Sequence, residues 1–226
     1  MTEPTCTLPI IFEHEDFAVV NKPVGVPMHD AEHGIITRMR ADFPQQNWFL
    51  VHRLDTATSG CILLAKNAAA ASALSQMFAD RSIEKYYLAL SDKKPHKKQG
   101  MIKGDMKKAR KGSMMLTKSL SNPAITQYFS FSARANRRLF LCKLHTGKTH
   151  QIRVALKSQG AAILGDTRYQ GTPCSRMHLY SFAVRFEYQG EFHQISHYDI
   201  HHSVIDKESI KPDWFSPWLL AWPSIT

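Results

Sequence analysis

The spacing of apolar positions changes rhythm several times along the chain. Residues 18–23, "AVVNKP", form an apolar run closed by Lys22 and Pro23, which predicts a short strand entering a loop. "VGVPMHDAEHG" (24–34) has the Gly, Pro and Asp content of that loop, and "GIITRMRADF" (34–43) predicts a helix. "FLVHRLD" (49–55) and "GCILLAKN" (60–67) predict two strands around a Thr-Ser-Gly bend. From Ala68 to Ser82 helix formers dominate, and Ala70, Leu74, Met77 and Phe78 recur at helical spacing. "IEKYYLALS" (83–91), "ITQYFSFSA" (125–133), "RLFLCKLHT" (138–146) and "FAVRFEYQGEFHQIS" (182–196) alternate as strands do. "THQIRVALKSQG" (149–160) predicts a helix ended by Gly160.

Strands and helices interleave without a regular βαβ rhythm. That favours an α+β fold on a bent, mixed, mostly antiparallel sheet flanked by helices and loops. The expectation is one domain over residues 1–226, with a core at about 10–200. The tail "PDWFSPWLLAWP" (212–223) carries three Trp and is expected to pack over the core edge within the segment 201–226.

Charge alters this picture at one place. Residues 93–111, "KKPHKKQGMIKGDMKKARK", hold eight Lys and one Arg against a single Asp, and read as a solvated, mobile loop. The whole chain of 226 residues carries a formal +10, which suits a polyanionic partner such as nucleic acid. The four cysteines are too far apart for a C-x-x-C zinc or redox motif, and Cys61 and Cys142 read as small core hydrophobes. No secretory signal and no apolar stretch of membrane-spanning length is visible, so the expected setting is cytoplasmic, without a membrane partner.

Several catalytic motifs fail on inspection. Gly147-Lys148-Thr149 suggests a phosphate loop, but Cys142 stands where the leading Gly is needed. "HRLD" (52–55) lacks the order and the distant Asn of a kinase catalytic loop. "PCSRM" (173–177) lacks the second Cys of a zinc deaminase, and the twelve His residues include no H-E-x-x-H, so no metal site is expected. There remain four polar stretches in apolar surroundings, around Asn21, Asp55, Tyr87 and Arg153. Asp55 paired with Arg53 or Arg153 has an ordinary structural reading as an ion pair, and Tyr86 and Tyr87 one as an inward and an outward strand residue.

Taken together, these stretches resemble the RluA-type family of RNA pseudouridine synthases. The first family motif appears as Asn21, Lys22, Pro23, Gly25 and His29. The central signature His-Arg-Leu-Asp-x-x-Thr-Ser-Gly is His52 through Gly60, ending in Ala65 and Lys66. Lys85 and Tyr87 match the Lys-x-Tyr strand, and Thr146 through Arg153, with Gly165, Asp166 and Tyr169, match the last element. Lys148 stands where the family usually has Arg, and Ala155 where it usually has His.

The resemblance implies isomerisation of uridine in tRNA or rRNA stem-loops to pseudouridine, without a redox cofactor, metal or nucleotide. It implies Asp55 as the catalytic carboxylate, kept charged by Arg153, and Arg53 as the residue that displaces the target base. Tyr87 would stack on the flipped uracil, with His52 and Thr58 in support. Lys22, Lys97, Lys98, Lys107, Lys108, Arg110 and Lys148 are expected to meet RNA phosphates. No S4-like RNA-binding domain is expected ahead of residue 21, and a monomer needing no protein partner is expected. The competing reading is an RNA-binding or RNA-folding protein that has lost catalysis.

Overall fold

The computed structural model describes residues 8–133, 136–198 and 210–224. The chain divides into two compact units, Met1–Ile83 and Glu84–Thr226.

In the first unit, β1 (Ile10–Glu13) and β2 (Phe17–Lys22) form a hairpin, and β2 pairs antiparallel with β4 (Ser59–Ala65). Every residue of β2 is buried, including Lys22. Between these strands lie α1 (Ile35–Asp42) and a two-residue strand, β3 (Phe49–Leu50), which also pairs with β4. The predicted strand at 49–55 is therefore mostly absent: backbone pairing stops at Leu50. The His52 side chain takes over one position further along, where its Nε2 accepts the Leu63 N–H at 2.9 Å. The helix predicted from Ala68 is α2 (Ala68–Ala79), started by Asn67, whose side chain accepts the Ala70 N–H. Ala70 and Leu74 are its buried residues.

In the second unit six strands run in the spatial order β12, β11, β5, β10, β9, β6, each pair antiparallel. They are β5 (Glu84–Ser91), β6 (Gln99–Gly104), β9 (Ala124–Ser132), β10 (Arg138–Leu144), β11 (Leu179–Tyr188) and β12 (Glu191–Ser196). A separate hairpin is made by β7 (Met106–Lys108) and β8 (Met114–Leu116), and α3 spans Gln151–Ser158. One face of the sheet buries Tyr86, Leu88, Leu139, Leu141 and Phe182 with Trp214, and Trp218 and Trp222 pack against that cluster. The rest of segment 201–226, at 201–209 and 225–226, lies outside the described residues. Cys61 and Cys142 are both fully buried, as their apolar runs predict.

The charged stretch 93–111 is not a structureless loop. Its second half contains β6 and β7, with β6 in register against β9 from Gln99↔Phe129 to Gly104↔Ala124. Ile102 and Gly104 face inward while Lys103 stays exposed, so the strand buries Ile102 and leaves its lysine in water. Composition alone hid this alternation. Among the described residues the elements are those of an α+β fold, three α-helices with mostly antiparallel strands. Among the described residues no helix is long and apolar enough to cross a membrane.

Candidate active site

Asp55 sits on a turn in the first unit, half-buried, with its carbonyl accepting the Thr58 N–H at 2.9 Å. Thr58 is buried and Arg53 is exposed. The turn is fastened from beneath by Lys22. That side chain has no exposed surface, and its Nζ donates to the carbonyls of Thr58 at 2.8 Å, Pro23 at 3.0 Å and Thr56 at 3.2 Å. The Thr56 carbonyl also accepts the Gly25 N–H at 2.9 Å, and Gly25 has φ +86°, a conformation glycine adopts without penalty. An ammonium buried this fully loses its hydration, so burial lowers the Lys22 pKa to about 8; the Asp55 charge opposes that shift and the Arg38 charge adds to it. The expectation that Lys22 meets RNA phosphates is thus corrected: its three donors are spent on backbone carbonyls.

His52 completes the support. Because its Nε2 accepts a backbone N–H, that nitrogen is unprotonated, and the ring stacks on Phe78 with centroids 4.2 Å apart. His52 therefore ties the approach to Asp55 onto β4.

Arg153 lies in the second unit, on α3, and is buried. Its Nε donates to Asp166 Oδ2 at 2.7 Å and its Nη2 to Asp166 Oδ1 at 2.8 Å, a two-pronged pair that fixes the guanidinium plane. The Tyr169 ring lies 5.0 Å from its Cζ. The helix start is held by Gln151, whose Oε1 accepts from Thr146 Oγ1 and the Lys148 N–H, and whose Nε2 donates to the Ile125 carbonyl. Most of the Thr146–Arg153 motif thus seats one arginine. The sequence offered Asp166 only as a matched position. A buried arginine must find a carboxylate, and in "ILGDTRY" (163–169) Asp166 is the one acidic residue.

Tyr87 is on β5, opposite Cys142 and Ser181 in the pairing register, and is 6% exposed. Its neighbour Tyr86, on the other face, is buried too, so neither tyrosine is the outward one. The Tyr86 hydroxyl donates to Glu84 Oε2 at 2.7 Å, and burial with that carboxylate pushes the phenol well above its usual range. Lys148 is half-exposed and donates to Asn122 Oδ1 at 2.9 Å. Lys97, Lys98, Lys107, Lys108 and Arg110 are all exposed. Among the described residues no cluster of three or more His, Cys, Asp or Glu side chains is placed to hold a metal ion.

The sequence model of the RNA pseudouridylate synthases matches residues 16–158. An uncharacterized RNA pseudouridine synthase of Haemophilus influenzae is 44% identical over 187 residues, covering 81% of this chain and 84% of its own length. The dual-specificity RNA pseudouridine synthase RluA of Salmonella typhimurium is 34% identical over 84% of this chain and 87% of its own. The ribosomal large subunit pseudouridine synthase D of Zymomonas mobilis is 32% identical over 72% of this chain, which spans 56% of that relative. Human RNA pseudouridylate synthase domain containing 1 shares the fold, with a TM-score of 0.80 at 24% identity over 100% of both chains. The chain belongs to the RNA pseudouridylate synthase family, whose members are isomerases acting on uridine in RNA. The comparisons give the binding-only reading no support.

Proposed function

We propose that this chain converts uridine to pseudouridine in a structured RNA, with Asp55 as the carboxylate that acts on the nucleoside. The N1–C1′ bond breaks, the uracil turns, C5 bonds to C1′, and the C5 proton is released while N1 regains one. The reaction is balanced without an added reactant. The observation that carries this reading is the fixed Asp55–Thr58 turn: a half-exposed carboxylate on a loop whose carbonyls are gripped by one buried ammonium. Such rigidity is what a group placed against a flipped-out base needs.

Tyr87 serves the base as a stacking face and Arg153 serves the carboxylate chemistry through its charge. Arg53, exposed next to the turn, occupies the place of the displaced base. The exposed Lys97, Lys98, Lys107, Lys108 and Arg110, with Lys148, take phosphates, so binding weakens steeply with salt. The substrates are tRNA or rRNA stem-loops, the relatives named above including one of dual specificity and one acting on the large ribosomal subunit. The enzyme works as a cytoplasmic monomer, with residues 1–226 acting as one catalytic domain.

The test is release of tritium from RNA labelled at uridine C5. Asp55→Asn is expected to abolish release, by at least about a thousandfold, while filter binding of the same RNA persists. Release at a wild-type rate from Asp55→Asn overturns the proposal.

A further inference from the structure

The basic hairpin of β7 and β8 and the Arg153 cluster meet at one short turn, Thr167–Tyr169. The Met114 N–H, at the start of β8, donates to the Tyr169 hydroxyl oxygen at 2.8 Å. Arg168 Nη1 donates to the carbonyls of Gly112 at 3.0 Å and Lys111 at 3.3 Å. These residues form the hairpin tip, where Lys111 has φ +54° and Gly112 φ +70°. A lysine in the left-handed region is rare unless its surroundings hold it there. A Cβ at Gly112 would stand 3.2 Å from Arg168 Nη1, so the arginine sits close against the tip.

The other side of the same turn faces Arg153. Asp166, immediately before it, grips the guanidinium with both oxygens, and the Tyr169 ring lies against it. The Tyr169 hydroxyl also meets His150 Nδ1 at 2.8 Å, and His150, with φ +58°, is the cap of the helix that carries Arg153. One tyrosine thus bonds through its hydroxyl to the hairpin and to the helix cap, and packs with its ring on the arginine.

We propose that Tyr169 is a positioning residue that clamps the basic hairpin to the seat of Arg153, so that RNA phosphates caught on Lys107, Lys108 and Arg110 stand in fixed register to that guanidinium. This rests on the pseudouridine synthase reading above. Without the clamp the hairpin still carries its charge, but it swings relative to Arg153, and each phosphate contact costs more ordering.

Tyr169→Phe keeps the ring on Arg153 and removes only the hydroxyl. The RNA is extracted from cells lacking the gene and grown on 5-tritiated uridine. KM for this RNA is expected to rise about three- to tenfold, the effect of one lost hydrogen bond, with the smaller share of the loss on kcat. Tryptic cleavage between Lys107 and Lys111 is expected to accelerate. In a Lys107→Gln, Lys108→Gln, Arg110→Gln background, adding Tyr169→Phe is expected to change KM less than about twofold, because there is no captured phosphate left to misplace. Arg168→Gln, at an exposed position, is the second variant and should shift both readouts the same way. The same KM cost in both backgrounds, or an unchanged tryptic rate in both variants, overturns the clamp. A wild-type enzyme that releases no tritium overturns the underlying reading instead, and the tryptic rates still decide whether Tyr169 holds the hairpin.

Discussion

The turn that carries Asp55 is held by a cation bonded to carbonyls, whereas Arg153 is held by a carboxylate. In the first unit Lys22 gives three bonds to neutral backbone groups and is desolvated in doing so. In the second unit Asp166 holds Arg153 through two parallel bonds while both are buried. The first device makes a loop rigid at the cost of burying a charge. The second makes a guanidinium plane rigid by pairing it with a buried carboxylate. They differ in how pH acts on them: a buried lysine can lose its proton, while an arginine stays charged at any working pH.

The largest stability effect is expected at the second site. Asp166→Ala leaves a buried guanidinium without the carboxylate that takes its Nε and Nη2. The expected loss is about 3–5 kcal/mol, read as a shift in the urea midpoint. A loss below about 1 kcal/mol would mean that water reaches the cluster and that the two devices are not as different as drawn.

Lys22→Met is expected to cost less, about 1–3 kcal/mol. It removes the donor from three carbonyls, but it also removes a desolvated ammonium, and the two changes oppose each other. Tritium release should fall more than stability does, because the Asp55 turn loses its fastening while the core of β2 remains packed. Equal retention of activity and stability would show that the turn holds itself.

The contrast has a pH form. Lys22 has a pKa of about 8 in the folded protein against 10.5 for an unburied lysine. Between those values the unfolded chain binds more protons than the folded one, so the Lys22 contribution to stability rises with pH across that window. Below about pH 8 both states are protonated and the burial penalty, up to about 3 kcal/mol, is present in full. The difference between wild type and Lys22→Met in urea midpoint, followed from pH 7 to 10, should therefore grow in favour of wild type. A flat difference would mean that Lys22 is hydrated in solution.

These two fastenings also mark how far the sequence could be read. The α2 helix and β4 were legible because their apolar positions repeat over many residues. The signature around Asp55 was legible as a motif, and the family it indicates is the one the chain belongs to. Lys22 was misplaced because its partners are backbone carbonyls 34 and 36 residues away, at Thr56 and Thr58, and a carbonyl leaves no mark in a sequence. His52 hid the end of β3 for the same reason, since a side chain there does the work of a backbone acceptor. The β6 strand was masked by the lysine content of the stretch around it, because only Ile102 and Gly104, on either side of Lys103, carry the in-and-out pattern.

The smallest expected effect separates the two arginines that the sequence offered as alternative partners for Asp55. Arg53 is exposed and Arg153 is 7% exposed. Arg53→Gln removes a hydrated charge and no buried bond, so stability should stay within about 0.5 kcal/mol of wild type. Its consequence should appear only with RNA present: slower tritium release from structured RNA, and a smaller deficit on a substrate in which the target uridine is already unpaired, where less displacement is needed. Equal deficits on paired and unpaired uridines would remove Arg53 from base displacement and leave it a phosphate contact, to be judged by whether its loss lowers the salt dependence of binding.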